Sequence, residues 1–235
     1  MTLLPLVLAA SLSAHALDPG RYGMRLTAAT IAELPFLGET KGSSTSWLLV
    51  EIESTSAGLV QSHRTCAVRM GGAGGGRVEV PDAFLRHLGK PRYLLQLGKN
   101  SYVADLGPSA VGWDPALAEA VPQTVDDPGV IDWDEDGQPG ATIKLRLPFF
   151  GKIDLFVAQH AHMVLTAPLP AQGPIEGAVA FEAFDQRTIG GTHPRFAASP
   201  PMRPDAPASS FALAPVPADT TCATLEDRLG AILEG

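Results

Sequence analysis

One run of alternating side chains limits the fold more than any other feature. Ile153, Leu155, Val157, Ala161, Met163 and Leu165 fall on one face of a strand, interrupted only by Gln159. About 13 residues at roughly 3.3 Å each reach past ~40 Å. A strand of that length bends around a barrel or crosses between sheets, commonly at a bulge.

Shorter runs repeat the pattern. Tyr22, Met24 and Leu26 alternate with polar or small residues. Leu48, Val50 and Ile52 precede the turn 54–58, and Val60, Cys66, Val68 and Met70 follow it. On the second arm Gln61, His63, Thr65 and Arg69 fall on the opposite face, which predicts a hairpin with Cys66 on its apolar side. Further strands are expected over 92–97, 101–106, 143–147 and from Ile175 through Phe181. The chain carries 24 glycines and 21 prolines, which break long helices and favour strands joined by turns. Gly42–Ser46 reads as a polar loop.

Helices are few. Pro81–Leu88, closed by Gly89, predicts two turns of helix. Pro115–Ala120 suggests one helical turn. Thr221–Leu233 predicts a C-terminal helix with Leu225, Leu229, Ile232 and Leu233 on one side and Thr221 or Thr224 as its N-cap. Between them, 193–217 contains seven prolines. Proline lacks an amide donor, so this stretch is expected to be a surface connection, with Phe211 and Leu213 docking near its end. The sum is a mainly β fold: an antiparallel barrel or sandwich of about 8–10 strands with short helices and a C-terminal helix.

The first sixteen residues resemble a secretory signal. Leu3–Ala9 is apolar and Ala14-His15-Ala16 fits small-x-small cleavage, although no Lys or Arg precedes the apolar core. Segment 1–16 is therefore expected to be a signal peptide and 17–235 a single mainly β domain, secreted or periplasmic. The apolar run falls short of the roughly 20 residues that span a bilayer, so the mature chain is expected to have no integral membrane segment. Hydrophobic residues make up 45% and the formal net charge is −8, enough for a core and too acidic for nucleic acid or anionic membrane surfaces. In an oxidising compartment Cys66 and Cys222 are expected to bond. Closing their loop of about 155 residues is worth up to about 5 kcal/mol in the chain-entropy account.

Candidate chemistry concentrates in Ile131–Thr142. Asp132, Asp134 and Asp136 alternate and Gly137 follows at once. Alternating carboxylates converge on one hard cation when the chain turns between them, and the Gln138 backbone carbonyl is the next ligand of such a loop. The spacing predicts calcium. The twelfth position is Ile143 instead of a bidentate Glu, so the loop departs from the EF-hand pattern and needs a remote carboxylate, with Asp126, Asp127 and Asp154 as candidates.

His160 and His162 share a strand face and could meet one zinc ion given a third ligand, His63 by default. Gly71–Gly76 lacks the Lys-Ser/Thr of a phosphate loop and reads as a connection between strands. Neither Gly-x-Ser-x-Gly nor His-Glu-x-x-His occurs. Trp47, Trp133, Phe149, Phe150 and Phe156 are core candidates, or the lining of a ligand cavity. The leading expectation is a calcium-binding, disulfide-linked module that binds an unknown protein or small-molecule partner or associates with the cell envelope. The rivals are a barrel carrying a small apolar ligand and a metal-dependent hydrolase built on His160 and His162.

Overall fold

A computed structural model describes residues 17–34, 38–71, 77–147, 151–194, 200 and 202–234. The expected signal segment, most of the glycine run, Phe149 and Phe150 lie outside them. The strands are β1 (Gly20–Leu34), β2 (Gly38–Thr55), β3 (Gly58–Gly71), β4 (Arg77–Glu79), β5 (Arg92–Leu97), β6 (Ser101–Val111), β7 (Ala141–Leu147), β8 (Gly151–Pro168), β9 (Ile175–Gly191), β10 (Met202–Pro204) and β11 (Ser210–Pro215). Helix α1 spans Asp82–His87 and α2 spans Cys222–Glu234.

Among the described residues the named strands pair antiparallel, and eight of them close a ring in the order β1, β11, β9, β8, β6, β5, β3, β2. The expected mainly β architecture is present. Closure follows from long strands that twist, because each can serve two neighbours along its length. β8 does this three times over, pairing with β6, β7 and β9. A bridge from β3 through β4 and β7 to β8 lies across one part of the ring.

The ring is filled. Tyr22, Met24, Leu26, Leu48, Val50, Ile52, Tyr102, Leu165, Val179, Phe211 and Leu213 pack in one buried cluster. Tyr102 and Phe211 set their rings 5.5 Å apart within it. Burial at about 25 cal/mol per Å² makes such side chains the main favourable term in folding. Three further clusters complete the core. Trp47, Leu49, Ala214, Leu225 and Leu229 join α2 to the outside of the ring. Trp113, Val121, Phe156, Ala158 and Ile189 bury the outer face of β8 beneath the segment after β6. Ala141, Ile143 and Val157 pack with Phe84 and Trp133 near α1.

Three local expectations change. The segment 193–217 was expected to run over the surface, yet β11 sits between β1 and β9 with Phe211, Ala212, Leu213 and Ala214 buried. Proline acts position by position: β11 carries one only at its last residue, so its interior amides remain free to pair. Gly42–Ser46, expected as a loop, continues β2 opposite Ala28, Ala29 and Thr30 of β1.

On β3 the faces also differ from the simple alternation. Gln61 pairs with Ile52 and His63 with Val50, so both point into the barrel. The β2–β3 register shifts between Trp47 and Leu48, leaving Cys66 without a partner in the ladder. Alternation from the inward Thr65 puts Cys66 outward, against α2, and the bulge shifts the phase of the residues after it. There it bonds Cys222 as expected, with a Cα–Cα distance of 5.0 Å across 156 positions of sequence. Helix α2 begins at that cysteine, and the Thr224 hydroxyl accepts the Thr221 amide proton at 3.1 Å, satisfying one of the amides left open at the start. Among the described residues, no helix is long and apolar enough to cross a membrane.

Candidate metal centre

The aspartate loop ends a long excursion between β6 and β7. The excursion leaves at Gly112 and returns at Gly140, both with positive φ, 79° and 80°. Each glycine passes close to the Val157 carbonyl of β8; a Cβ at Gly140 would stand 2.9 Å from that oxygen. Only glycine combines this backbone with such an approach. Trp113 anchors the start, buried and donating Nε1–H to the Gln159 carbonyl at 3.0 Å. The return is fixed by the Gly140 amide on the Ile131 carbonyl, 2.7 Å, and the Trp133 amide on the Gly140 carbonyl, 3.0 Å. Trp133 itself stands edge-on to Phe84 of α1, 5.2 Å between ring centres.

Inside this frame the chain curls around its own carboxylates. Asp132 accepts the amide of Asp136 on Oδ1 at 3.0 Å and that of Gly137 on Oδ2 at 2.9 Å. Asp136 Oδ1 accepts the amide of Gln138 at 2.9 Å. Such Asx-type bonds are what Asp offers a tight turn. Glu135, between Asp134 and Asp136, takes a left-handed φ of 57° within this turn. One oxygen from each of Asp132, Asp134 and Asp136 lies within 4.8 Å of the other two.

Asp134 differs from its neighbours. It is only 1% exposed, whereas Asp132 and Asp136 face solvent. Its Oδ2 accepts the amide of Thr142, the second residue of β7, at 3.1 Å. Its Oδ1 is buried with no hydrogen-bond partner, as is the Thr142 hydroxyl. Burial raises the Asp134 pKa above the ordinary carboxylate value, the charges of Asp136 and Asp132 raise it further, and the Thr142 amide opposes them. A buried, half-paired carboxylate beside two more carboxylates is an arrangement that a hard cation would neutralise.

The remote candidates do not join the group. Asp127 is committed to its own turn, accepting the amides of Gln123 and Thr124 and the Thr124 hydroxyl. Neither Asp126 nor Asp154 belongs to the trio. At the twelfth position Ile143 is buried in the core of β7, where a carboxylate would be costly. Gln138 is placed by its amide bond to Asp136.

His160 and His162 lie on the outer face of β8, opposite in phase to Leu165. His162 Nε2 meets Asp105 Oδ1 at 2.7 Å, and the Asp105 pKa is lowered by the Gly107 amide and by His162. Among the described residues, no group of three potential ligands forms around the two histidines. His63, the default third ligand, points into the barrel instead.

The aromatic candidates also part company. Trp47 packs outside the ring with Arg69 over its face at 5.2 Å, and Phe156 packs outside with Trp113. A depression of about 410 Å³ opens where 17–22 passes the turn 169–173, at one end of the barrel. It is lined partly by Leu17, Tyr22, Ile175 and Leu213. Comparison with protein families, curated proteins and solved structures returns no match.

Proposed function

We propose that this chain is an exported β-barrel module that acts by binding, with one calcium ion held in the loop 132–142. The observation that carries the reading is Asp134: buried, with one oxygen holding Thr142 and the other unpaired beside Asp132 and Asp136. Calcium suits three carboxylates and a carbonyl because it accepts irregular shells of six to eight oxygens. The Gln138 carbonyl and water would supply the remaining ligands. Magnesium fits less well, since it demands near-octahedral geometry and is seldom caged by protein alone.

The ion's role in this reading is structural. Asp134 holds the Thr142 amide at the start of β7 with one oxygen and would hold the ion with the other, so binding would fasten the excursion to the barrel wall. Export is supported by the disulfide, which persists in oxidising compartments, and by the signal-like 1–16. The packed interior argues against a hollow barrel for an apolar ligand. The isolation of His160 and His162 from a third ligand argues against the hydrolase.

The test is elemental analysis of protein purified from the cell exterior or periplasm without chelator. The reading predicts about one calcium per chain, lost in Asp132→Ala/Asp136→Ala. A chain recovered only from the cytoplasm, or recovered outside without calcium, would contradict it.

A further inference from the structure

The second unpaired polar group lies inside the barrel. Gln61 and His63 occupy adjacent inward positions on β3, 0% and 4% exposed. Gln61 Oε1 accepts the Tyr102 hydroxyl at 2.7 Å, but Gln61 Nε2 and His63 Nε2 are buried without partners. His63 Nε2 is thus enclosed with nothing to receive a proton's charge.

Among the described residues, the groups that face His63 are neutral. From β5 it meets Tyr93 edge-on, 4.9 Å between rings. From β2 its register partner is Val50, and along β3 its inward neighbours are Gln61 and Thr65. Tyr102 of β6 stands beyond Gln61. Glu51 and Glu53 alternate to the outer face of β2, where they pair with Arg21 and Arg92. Helix α1 also packs on β3; its Asp82 and Arg86 are exposed and its His87 pairs with Glu135.

His63 also sits beside one of the ring's short seams. β3 and β5 share only Val60–Leu94, Gln61–Tyr93 and Ser62–Arg92. β5 and β6 likewise share three pairs, from Leu95–Ala104 to Leu97–Tyr102. The His63 amide adds one bond, to the Pro91 carbonyl at 3.0 Å. By contrast, β1 and β2 pair continuously from Gly20–Ile52 to Leu34–Gly38.

We infer that the β3–β5 seam is an acid-labile section of the barrel wall: protonation of His63 displaces β5 and exposes Gln61 and His63 to water while the long strands stay paired. Displacing β5 breaks few hydrogen bonds and gives the imidazolium the water it needs. Desolvation supports this, holding the His63 pKa down at about 4 against 6.5 in water.

The test is native-state hydrogen exchange, corrected for intrinsic chemistry, at pH 7.5 and pH 5.0. If the open seam restores an ordinary histidine, opening at β5 rises about 30-fold between these conditions. Exchange in β1, β2, β8 and β9 should not follow, and His63→Gln should abolish the rise. Should that variant not fold, NMR titration of His63 in the native protein serves instead: the protected ring stays neutral down to about pH 4. Equal acceleration in all strands, a rise that survives His63→Gln, or a ring that titrates near 6.5 with β5 still protected would overturn the inference.

Discussion

The aspartate loop and the His63 site bury the same number of unpartnered polar atoms, two each, and differ in what those atoms require. At the loop the pair is a carboxylate oxygen and a hydroxyl, in a setting rich in negative charge. Such a site is relieved by adding a cation. Inside the barrel the pair is an amide nitrogen and an imidazole nitrogen, in a setting without charge. Such a site is stable while it stays neutral and is damaged by adding a proton. Burial raises the Asp134 pKa and lowers that of His63, as one desolvation rule demands for an acid and a base. Burial alone does not define a binding site. The charge of the orphaned group, and whether its neighbours share it, decides what the site can take.

The largest expected effect tests whether the two regions depend on a common frame. The disulfide holds the outer face of the same strand that carries His63. Replacing both cysteines, Cys66→Ser with Cys222→Ser, should cost about 2–5 kcal/mol in denaturant unfolding. Both the calcium response and the acid response should survive in the folded fraction. If either response disappears with the disulfide, the two sites are not independent of it.

The next effect separates the regions by pH. Folded His63 binds its proton only near pH 4, whereas the unfolded chain binds it near 6.5. The stability that this residue contributes is therefore fully present above about pH 6.5 and lost as pH falls toward 4. The loss should total about 3 kcal/mol from this residue. Urea unfolding at stepped pH, compared with His63→Gln, isolates the contribution from carboxylates and other histidines.

A smaller effect probes the loop without any ion. Asp134→Asn removes the buried charge and keeps the side chain's shape. In chelator it should leave the protein equal in stability or more stable by about 1 kcal/mol. A loss of several kcal/mol under those conditions would show that the carboxylate already has a compensating partner.

A further effect inside the barrel concerns Gln61. Gln61→Leu removes an orphaned amide but strands the Tyr102 hydroxyl, so it should cost about 1–3 kcal/mol. Combining it with Tyr102→Phe should recover most of that loss, because both ends of the bond are then absent. Thermal unfolding of the two variants checks this double-mutant logic.

The loop and the barrel wall also differ in how far they could be read from sequence. Asp-x-Asp-x-Asp-Gly is local, and local spacing survives folding: the three carboxylates do converge. Likewise the alternation around Leu155 and Leu165 belongs to the long strand β8. The inward site on β3 was misread because one extra residue at Cys66 shifts the phase of everything beyond it. The alternation of Val60 with Val68 and Met70 gave no hint of that shift, so Gln61 and His63 looked solvent-facing. β11 was missed because the prolines around it outweighed the four apolar residues between them. The cover over β8 was missed because Trp113, Val121 and Phe156 meet only through tertiary packing.

In the proposed reading Asp132, Asp134 and Asp136 hold a stabilising calcium ion. This binding is tested most directly by melting the native protein in millimolar calcium and in chelator, with Asp134→Asn alongside. At calcium 100 times its dissociation constant, binding contributes about 2.7 kcal/mol. For a chain of this size that raises the melting temperature by roughly 5–10 °C. The account predicts that rise in the native protein and its absence in Asp134→Asn. An unchanged melting temperature in the native protein would contradict it.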